Sequence, residues 1–219
     1  MMDPAPAPPS ASPVVGPSSP ALRRMRVDPA EFRALRLRAH EFLSDAPLHD
    51  VWRLRLRGGG PGRTVHDVLD LFVDIKNSGI SPVARVLFAL RTMPGRVCGW
   101  DREVPTAPAR SYVNRLSAED RARSLDEPGS KRGFWTAVYT FDHEALGEVI
   151  NRTVHAFLLF ALEPAADGYT LYWGIYVKPV SRLTPFYMAL IDPFRRLLIY
   201  PALIRRFEEA WRQKWERTG

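Results

Sequence analysis

The sequence is poor in what several familiar protein classes require. It holds a single cysteine, Cys98, which excludes an internal disulfide framework, and no Cys/His cluster from which a structural zinc site could be built. No metal is expected, and a reducing, cytoplasmic compartment is the simplest fit. Nowhere does an uninterrupted apolar run reach about 18 residues, the length of a membrane-spanning helix. The nearest stretch, Phe186 to Ile204, is broken by Asp192, Arg195 and Arg196 and segmented by Pro193 and Pro201.

Charge of one sign is also scarce where it would matter. The formal net charge is +7, but residues 1–27 hold three basic side chains against one acidic, and residues 181–219 hold eight against four. The body between them is nearly neutral, which argues against a basic nucleic-acid groove, so no nucleic-acid partner is expected. What is present is ordinary for a globular chain: 219 residues, 46% hydrophobic and 25% charged, enough to bury a core.

Proline is unevenly spent. Seven of the 20 fall in the first twenty residues, at Pro4, Pro6, Pro8, Pro9, Pro13, Pro17 and Pro20, among Ala and Ser. Such a segment buries too little apolar surface to offset its ordering entropy, and residues 1–27 read as a disordered leader. Pro interrupts every short apolar run that a secretory signal would need, and no Arg precedes Arg23 as a transit peptide would require. Residues 28–47 read as a helical arm, with Asp28-Pro29 as cap and first position and Phe32, Leu35, Ala39 and Phe42 roughly on one face.

From Val51 the pattern alternates. Trp52, Leu54 and Leu56 oppose Arg53, Arg55 and Arg57, a strand with one wet face that ends in Gly58-Gly59-Gly60-Pro61-Gly62. This glycine run lacks the Lys-Ser/Thr of a phosphate loop and the spacing of a dinucleotide fingerprint, so it reads as a turn and no cofactor is expected. Thr64 to Asp67 forms a capping box before Val65, Val68, Leu69, Phe72 and Ile75 at helical spacing, and Ser81-Pro82 starts a second helix. The polar segment from Met93 to Arg132 is expected to contain a mobile loop.

Strands then follow without a helical break: Phe134–Phe141, Leu146–Asn151, Thr153–Leu162 and Tyr169–Lys178. In the last two both alternating sets are apolar, with Val154, Ala156, Leu158, Phe160 and Leu162 opposing His155, Phe157 and Leu159. Such strands are covered on both faces. Thr184-Pro185 caps a final amphipathic segment that runs to Trp215, either one long helix kinked by proline or two helices meeting near Asp192-Pro193.

The order of strand, two helices, antiparallel strands and long terminal helix resembles the helix-grip plan of START domains, the birch-pollen-allergen family and polyketide cyclases. The implied fold class is α+β, a curved antiparallel sheet wrapped around the C-terminal helix, with a domain at residues 48–217. At residue level, five stretches carry a narrower resemblance: Leu48-His49-Asp50-Val51-Trp52, Leu87-Phe88-Ala89-Leu90-Arg91 leading to Gly99-Trp100-Asp101, Glu144 to Asn151, Thr153-Val154-His155-Ala156 and Tyr200-Pro201-Ala202-Leu203. Together they are similar to a bacterial family of unknown function, domain-of-unknown-function family 2867, whose members occur alone or fused behind a short-chain-dehydrogenase-like NAD-binding domain. The resemblance spans roughly residues 48–215 and implies no established activity; no dehydrogenase half is expected, so no fused redox role is carried over.

The first functional expectation is a binding protein that holds a hydrophobic or amphipathic small molecule between sheet and C-terminal helix, with Trp100, Tyr139, His155, Phe157, Trp173 and Tyr187 lining the cavity. The second is a cyclase, dehydratase or hydrolase that uses His155 with Glu144 or Asp101 as acid and base. Glu144 and Glu148 fall on one strand face about 13 Å apart by strand rise, too far to flank one reacting bond. The third, ranked below both, is association with a membrane surface through the Arg- and Trp-bearing terminal helix. Oligomeric state is not legible.

Overall fold

The Trp52/Leu54/Leu56 alternation forms strand β1 (Leu48–Arg57), with this apolar set buried and Arg55 and Arg57 exposed. The structure is a computed structural model that describes residues 25–77, 107–151, 154–180, 188–189, 192–193 and 195–215. Five further strands are β2 (Lys131–Arg132), β3 (Trp135–Thr140), β4 (Glu144–Ile150), β5 (Val154–Ala165) and β6 (Gly168–Pro179). They build one curved antiparallel sheet in the order β1-β6-β5-β4-β3-β2, so the first strand pairs with the last.

Helices α1 (Pro29–Arg33), α2 (Arg38–Phe42), α3 (Val65–Asn77), α4 (Ala107–Arg110), α5 (Ala118–Arg123) and α6 (Tyr200–Trp215) complete the described residues. Residues 1–24 of the expected leader, the second helix from Ser81, Cys98, and the Thr184-Pro185 cap lie outside them. The end of the leader is ordered on the sheet, where the Val27 N–H donates to the Val51 carbonyl at 3.1 Å. Asp67 accepts from the Thr64 backbone N–H at 3.1 Å, the return half of the capping box that starts α3. A single π-helical turn, Arg195–Ile199, leads into α6. Pro201 thus sits at the junction, where its missing N–H and ring clash are tolerated.

On the inner face of the sheet, α3 and α6 cover Trp52, Leu54, Leu56, Phe160, Leu171 and Trp173. Ile204, Phe207 and Trp211 of α6 point into this layer and are fully buried. The Trp211 indole N–H donates to the Arg57 carbonyl at 3.1 Å, tying the helix to the end of β1. The apolar stripe that a lipid surface would have to engage is therefore occupied by the sheet. Gly147 of β4 lies beneath the Trp135 ring, whose Cδ1 is only 2.6 Å from where a Cβ would be.

The glycine run is a turn, as expected. Gly58, Gly59, Gly60 and Gly62 all have positive φ, a region that excludes most side chains, and the Tyr169 hydroxyl donates to the Gly60 carbonyl at 2.8 Å.

The outer face is covered too, which is why both sets of β5 and β6 are apolar. Val27, Phe32, Leu37, Ala39 and Leu43 of the arm pack on Val51, Phe157, Leu159 and Tyr176. The expected single helix is two short ones. Asp28 caps α1 by accepting from the Ala30 N–H at 2.7 Å, while α2 has no side-chain cap of its own. Of the polar segment from Met93 to Arg132, expected to contain a mobile loop, residues 93–106 lie outside the described residues; from residue 107 to Arg123 it forms short helical turns. Ser111 and Ser117 cap two of them, and Tyr112 and Leu116 are buried. Its end supplies the short edge strand β2, too brief and too polar to give an alternation signal.

Asp126 fastens this segment. It accepts from Arg132 and from the Thr140 hydroxyl, both at 2.8 Å. Burial pushes its carboxyl up, but these bonds and the charges of Arg132 and His66 outweigh burial and hold it below the ordinary value. A depressed folded-state value means stability that is complete above the unfolded carboxyl range, about pH 4, and lost as pH falls through the folded value. The urea midpoint is expected to drop between pH 5 and pH 3, with a shallower drop in Asp126→Asn; an identical slope in that variant would contradict this.

Candidate functional site

The outer face contains the side chains that looked most like acid–base groups. Glu144 projects from β4 and accepts from the backbone N–H groups of Arg38 and Ala39, each at 2.8 Å, and from the Tyr139 hydroxyl at 2.6 Å. Those N–H groups are the orphan donors that open α2, so a strand carboxylate some hundred positions away caps the helix. Burial and the Glu144 charge push the Tyr139 phenol well above its ordinary value, which keeps it protonated as the donor.

Glu148 repeats the device one strand turn on. It accepts from the Tyr112 N–H at 3.0 Å, from His155 Nε2 at 2.9 Å and from the Ser111 hydroxyl, and so caps the 3₁₀ turn Tyr112–Arg115. His155 is 3% exposed and lies edge-on to Tyr112. Glu144 and Glu148 thus each anchor a short helix to the sheet, and His155 completes the second anchor.

The sequence-predicted ligand residues separate between two layers. Tyr139, His155 and Phe157 belong to the outer layer, whereas Trp173 belongs to the inner one. Trp100, Asp101 and Tyr187 lie outside the described residues. His155 and Phe157 are neighbours, with ring centroids 4.3 Å apart, but neither faces the grip between sheet and α6.

Within the grip, the space under Leu203, Ile204 and Phe207 is closed: a void of about 10 Å³ remains between them and Leu54, Phe72, Phe160, Leu171 and Trp173. That is room for about one water. The polar end of the grip differs. Asp50 and Trp52 share the inner face of β1, Trp52 pairs across to Trp173, and the Tyr200 ring stands edge-on to both indoles at 5.2 and 5.0 Å. Arg195 Nε donates to the Tyr200 hydroxyl at 2.7 Å. Burial pushes that phenol up to about 12.

Asp50 is fully buried, with Arg196 at 3.3 Å, Arg26 at 3.4 Å, Arg195 at 3.5 Å and His49 at 3.6 Å, all beyond hydrogen-bond geometry. Six buried side-chain polar atoms among the described residues have no hydrogen-bond partner. Five of them are here: both Asp50 oxygens, the indole nitrogens of Trp52 and Trp173, and Arg196 Nε. Buried polar atoms are nearly always paired, so a cluster of orphans marks a place built to meet something polar. Sequence reading missed Asp50, Trp52, Arg195, Arg196 and Tyr200 as site residues, although two of the family-like stretches contain three of them.

His49, Asp50 and Asp192 also bring one ligand atom each within 4.8 Å of the others, spacing that a divalent cation can bridge. The surroundings oppose it. Three guanidiniums already face two carboxylates there, so a dication would add to a positive excess, and Asp192 is engaged by His49 at 2.9 Å and Arg195 at 3.0 Å. Burial raises the Asp192 carboxyl, but the His49 bond and the charges of His49, Arg195 and Arg196 outweigh it and hold it below the ordinary value.

The class this defines is an α+β protein in which a curved antiparallel sheet carries a C-terminal helix on one face, compatible with a helix-grip fold. Residues 42–202 match the family described as "Protein of unknown function (DUF2867)", and the chain belongs to that family. No curated protein matches it. Among the described residues no helix is long and apolar enough to cross a membrane.

Proposed function

We propose that the chain binds an amphipathic small molecule in the grip, at its Asp50 end rather than beneath Ile204 and Phe207. The observation that carries this reading is the set of orphaned polar atoms on neighbouring residues: the Trp52 and Trp173 indole N–H groups, whose rings both stand against Tyr200, with the Arg196 guanidinium beside the buried Asp50 carboxylate. Apolar walls with a few convergent polar groups are the usual makeup of a small-molecule site. The polar head that fits accepts from Trp52, Trp173 and Arg196 and donates to Asp50, as an amide or alcohol does and a carboxylate does not.

The test is titration of the full chain with octanamide, 1-octanol and octanoate, read by tryptophan fluorescence and thermal shift. Octanamide and 1-octanol are expected to bind and octanoate to bind more weakly. Trp173→Phe removes one donor and is expected to weaken octanamide about tenfold, the worth of one hydrogen bond. No response to any of the three, or unchanged octanamide affinity in Trp173→Phe, would sink the reading.

The acid–base alternative, His155 with Glu144 or Asp101, has less support: Glu144 already holds donors of the outer layer, His155 is held by Glu148, and Asp101 lies outside the described residues.

A further inference from the structure

We propose that the outer face of the sheet carries a second, separate site, which takes a small oxyanion on a short apolar or aromatic body. A cleft of about 280 Å³ opens there between the Ser111–Arg115 turn and the ends of β5 and β6. It is just under the 300–1,000 Å³ typical of drug-sized sites, so it suits a metabolite-sized molecule and not a long lipid chain.

The lining sets the sign of the ligand. Arg110, Arg115 and Lys178 all face the cleft. Arg115 and Lys178 share a single carboxylate, Asp45, at 3.1 and 2.7 Å. Arg110 makes no ion pair with any described carboxylate. The other acid nearby, Glu148, is buried and saturated by Tyr112, Ser111 and His155. Cations therefore outnumber the carboxylates that can answer them, and the surplus is on the accessible rim. A carboxylate or phosphate suits such a group, since charge-assisted hydrogen bonds to guanidinium and ammonium are the strong ones.

The rest of the lining supplies the body of the site. Tyr112 forms the buried floor beneath the cationic groups, its ring covered by Arg115 at 3.6 Å and by Phe157 at 4.5 Å, so it backs those groups and does not itself meet the ligand. Pro179 and Val180 close the apolar side. Arg115 and Lys178 are held in place by Asp45 and the Tyr112 hydroxyl, which leaves them preorganised; Arg110 supplies the uncommitted charge.

The site is tested by calorimetric titration of the full chain with benzoate, phenyl phosphate and neutral benzamide at low and high salt. At least one anion is expected to bind about tenfold or more tightly than benzamide and to weaken with salt. The preferred anion tells a carboxylate ligand from a phosphoryl one. Arg110→Gln is expected to weaken that anion about tenfold at unchanged melting temperature, with Lys178→Gln as a second variant whose fold is checked the same way. Trp173→Phe should leave it unchanged, which separates this site from the grip. Benzamide binding as well as both anions, or full anion affinity in both Arg110→Gln and Lys178→Gln, overturns the proposal.

Discussion

Glu148→Ala is expected to lower the unfolding free energy by about 3–5 kcal/mol, the usual cost of removing one partner from a buried charged hydrogen-bond group. The variant leaves three donors facing a hole: the Tyr112 N–H, the Ser111 hydroxyl and His155 Nε2. The Tyr112 N–H cannot turn to water without moving the 3₁₀ turn, because Tyr112 is only 1% exposed, and His155 is buried on β5; the half-buried Ser111 hydroxyl is the donor that can relax. Each orphaned donor costs roughly 1–3 kcal/mol, and partial relaxation keeps the total below their sum. Glu148→Gln keeps the shape and one acceptor but turns an amide toward donors, so an intermediate loss is expected. Urea denaturation at pH 7 measures both. Hydrogen exchange should show residues 111–116 opening in Glu148→Ala before the sheet does. A loss under 1 kcal/mol would mean that Glu148 does not anchor this layer.

Asp50→Ala should be comparably damaging, again about 3–5 kcal/mol, for the opposite electrostatic reason. Asp50 is the buried negative centre on which Arg26, Arg195 and Arg196 converge. Without it Arg195 and Arg196 face Asp192 alone, and Arg195, 12% exposed, has little water to retreat to. The π-helical turn that carries Arg195 and Arg196 is the entry to α6, so the repulsion acts on the helix that closes the inner layer. Screening should recover part of the loss, so the variant is expected to gain more stability from 0.5 M salt than the parent does. Asp192→Ala, with its carboxylate 18% exposed, is expected to cost less. Equal stability of Asp50→Ala and the parent in urea would show that the cluster does not secure α6.

Periodicity carried most of the fold. The alternation from Trp52 to Arg57, the Thr64–Asp67 capping box and the doubly apolar β5 and β6 each predict an element or a covered face that the structure contains. All three signals are local, readable within one strand or one helical turn. The anchors were not, because their partners are remote: Glu144 meets Arg38 and Ala39 about a hundred residues back, and Glu148 meets Tyr112 across 36. In one dimension two glutamates four apart look like chemistry or solvated surface; nothing local says that helix starts will land on them.

The mixed ligand list has a related cause. Alternation separates His155 and Phe157 from Phe160 within β5, but joining either set to Trp173 needs the register of the β5–β6 hairpin. That register pairs Phe160 with Trp173 and Phe157 with Tyr176. A shift of one residue would exchange the faces, and a loop rich in Pro, Ala and Gly does not specify it from sequence. Asp50 was overlooked because an acidic residue next to histidine at a strand start reads as a wet end. Its burial depends on three arginines, two of them from the far end of the chain.

The arm that covers the outer face sets where a folding unit can be cut. The family match begins at residue 42, yet Val27, Phe32, Leu37 and Ala39 come before it and lie on Val51, Phe157, Leu159 and Tyr176. A fragment started at the first strand would keep every strand, the gripping helix and the Tyr112–Leu116 turn while baring the part of the outer face that the arm covers. Glu144 would then be left with the Tyr139 hydroxyl as its one remaining donor. Such a piece would resemble a partly opened sandwich, prone to pair with its own copies through the stripped patch. For this chain the smallest self-sufficient unit is larger than the sheet-plus-helix plan, because part of the layer that makes the sheet two-sided is written ahead of it.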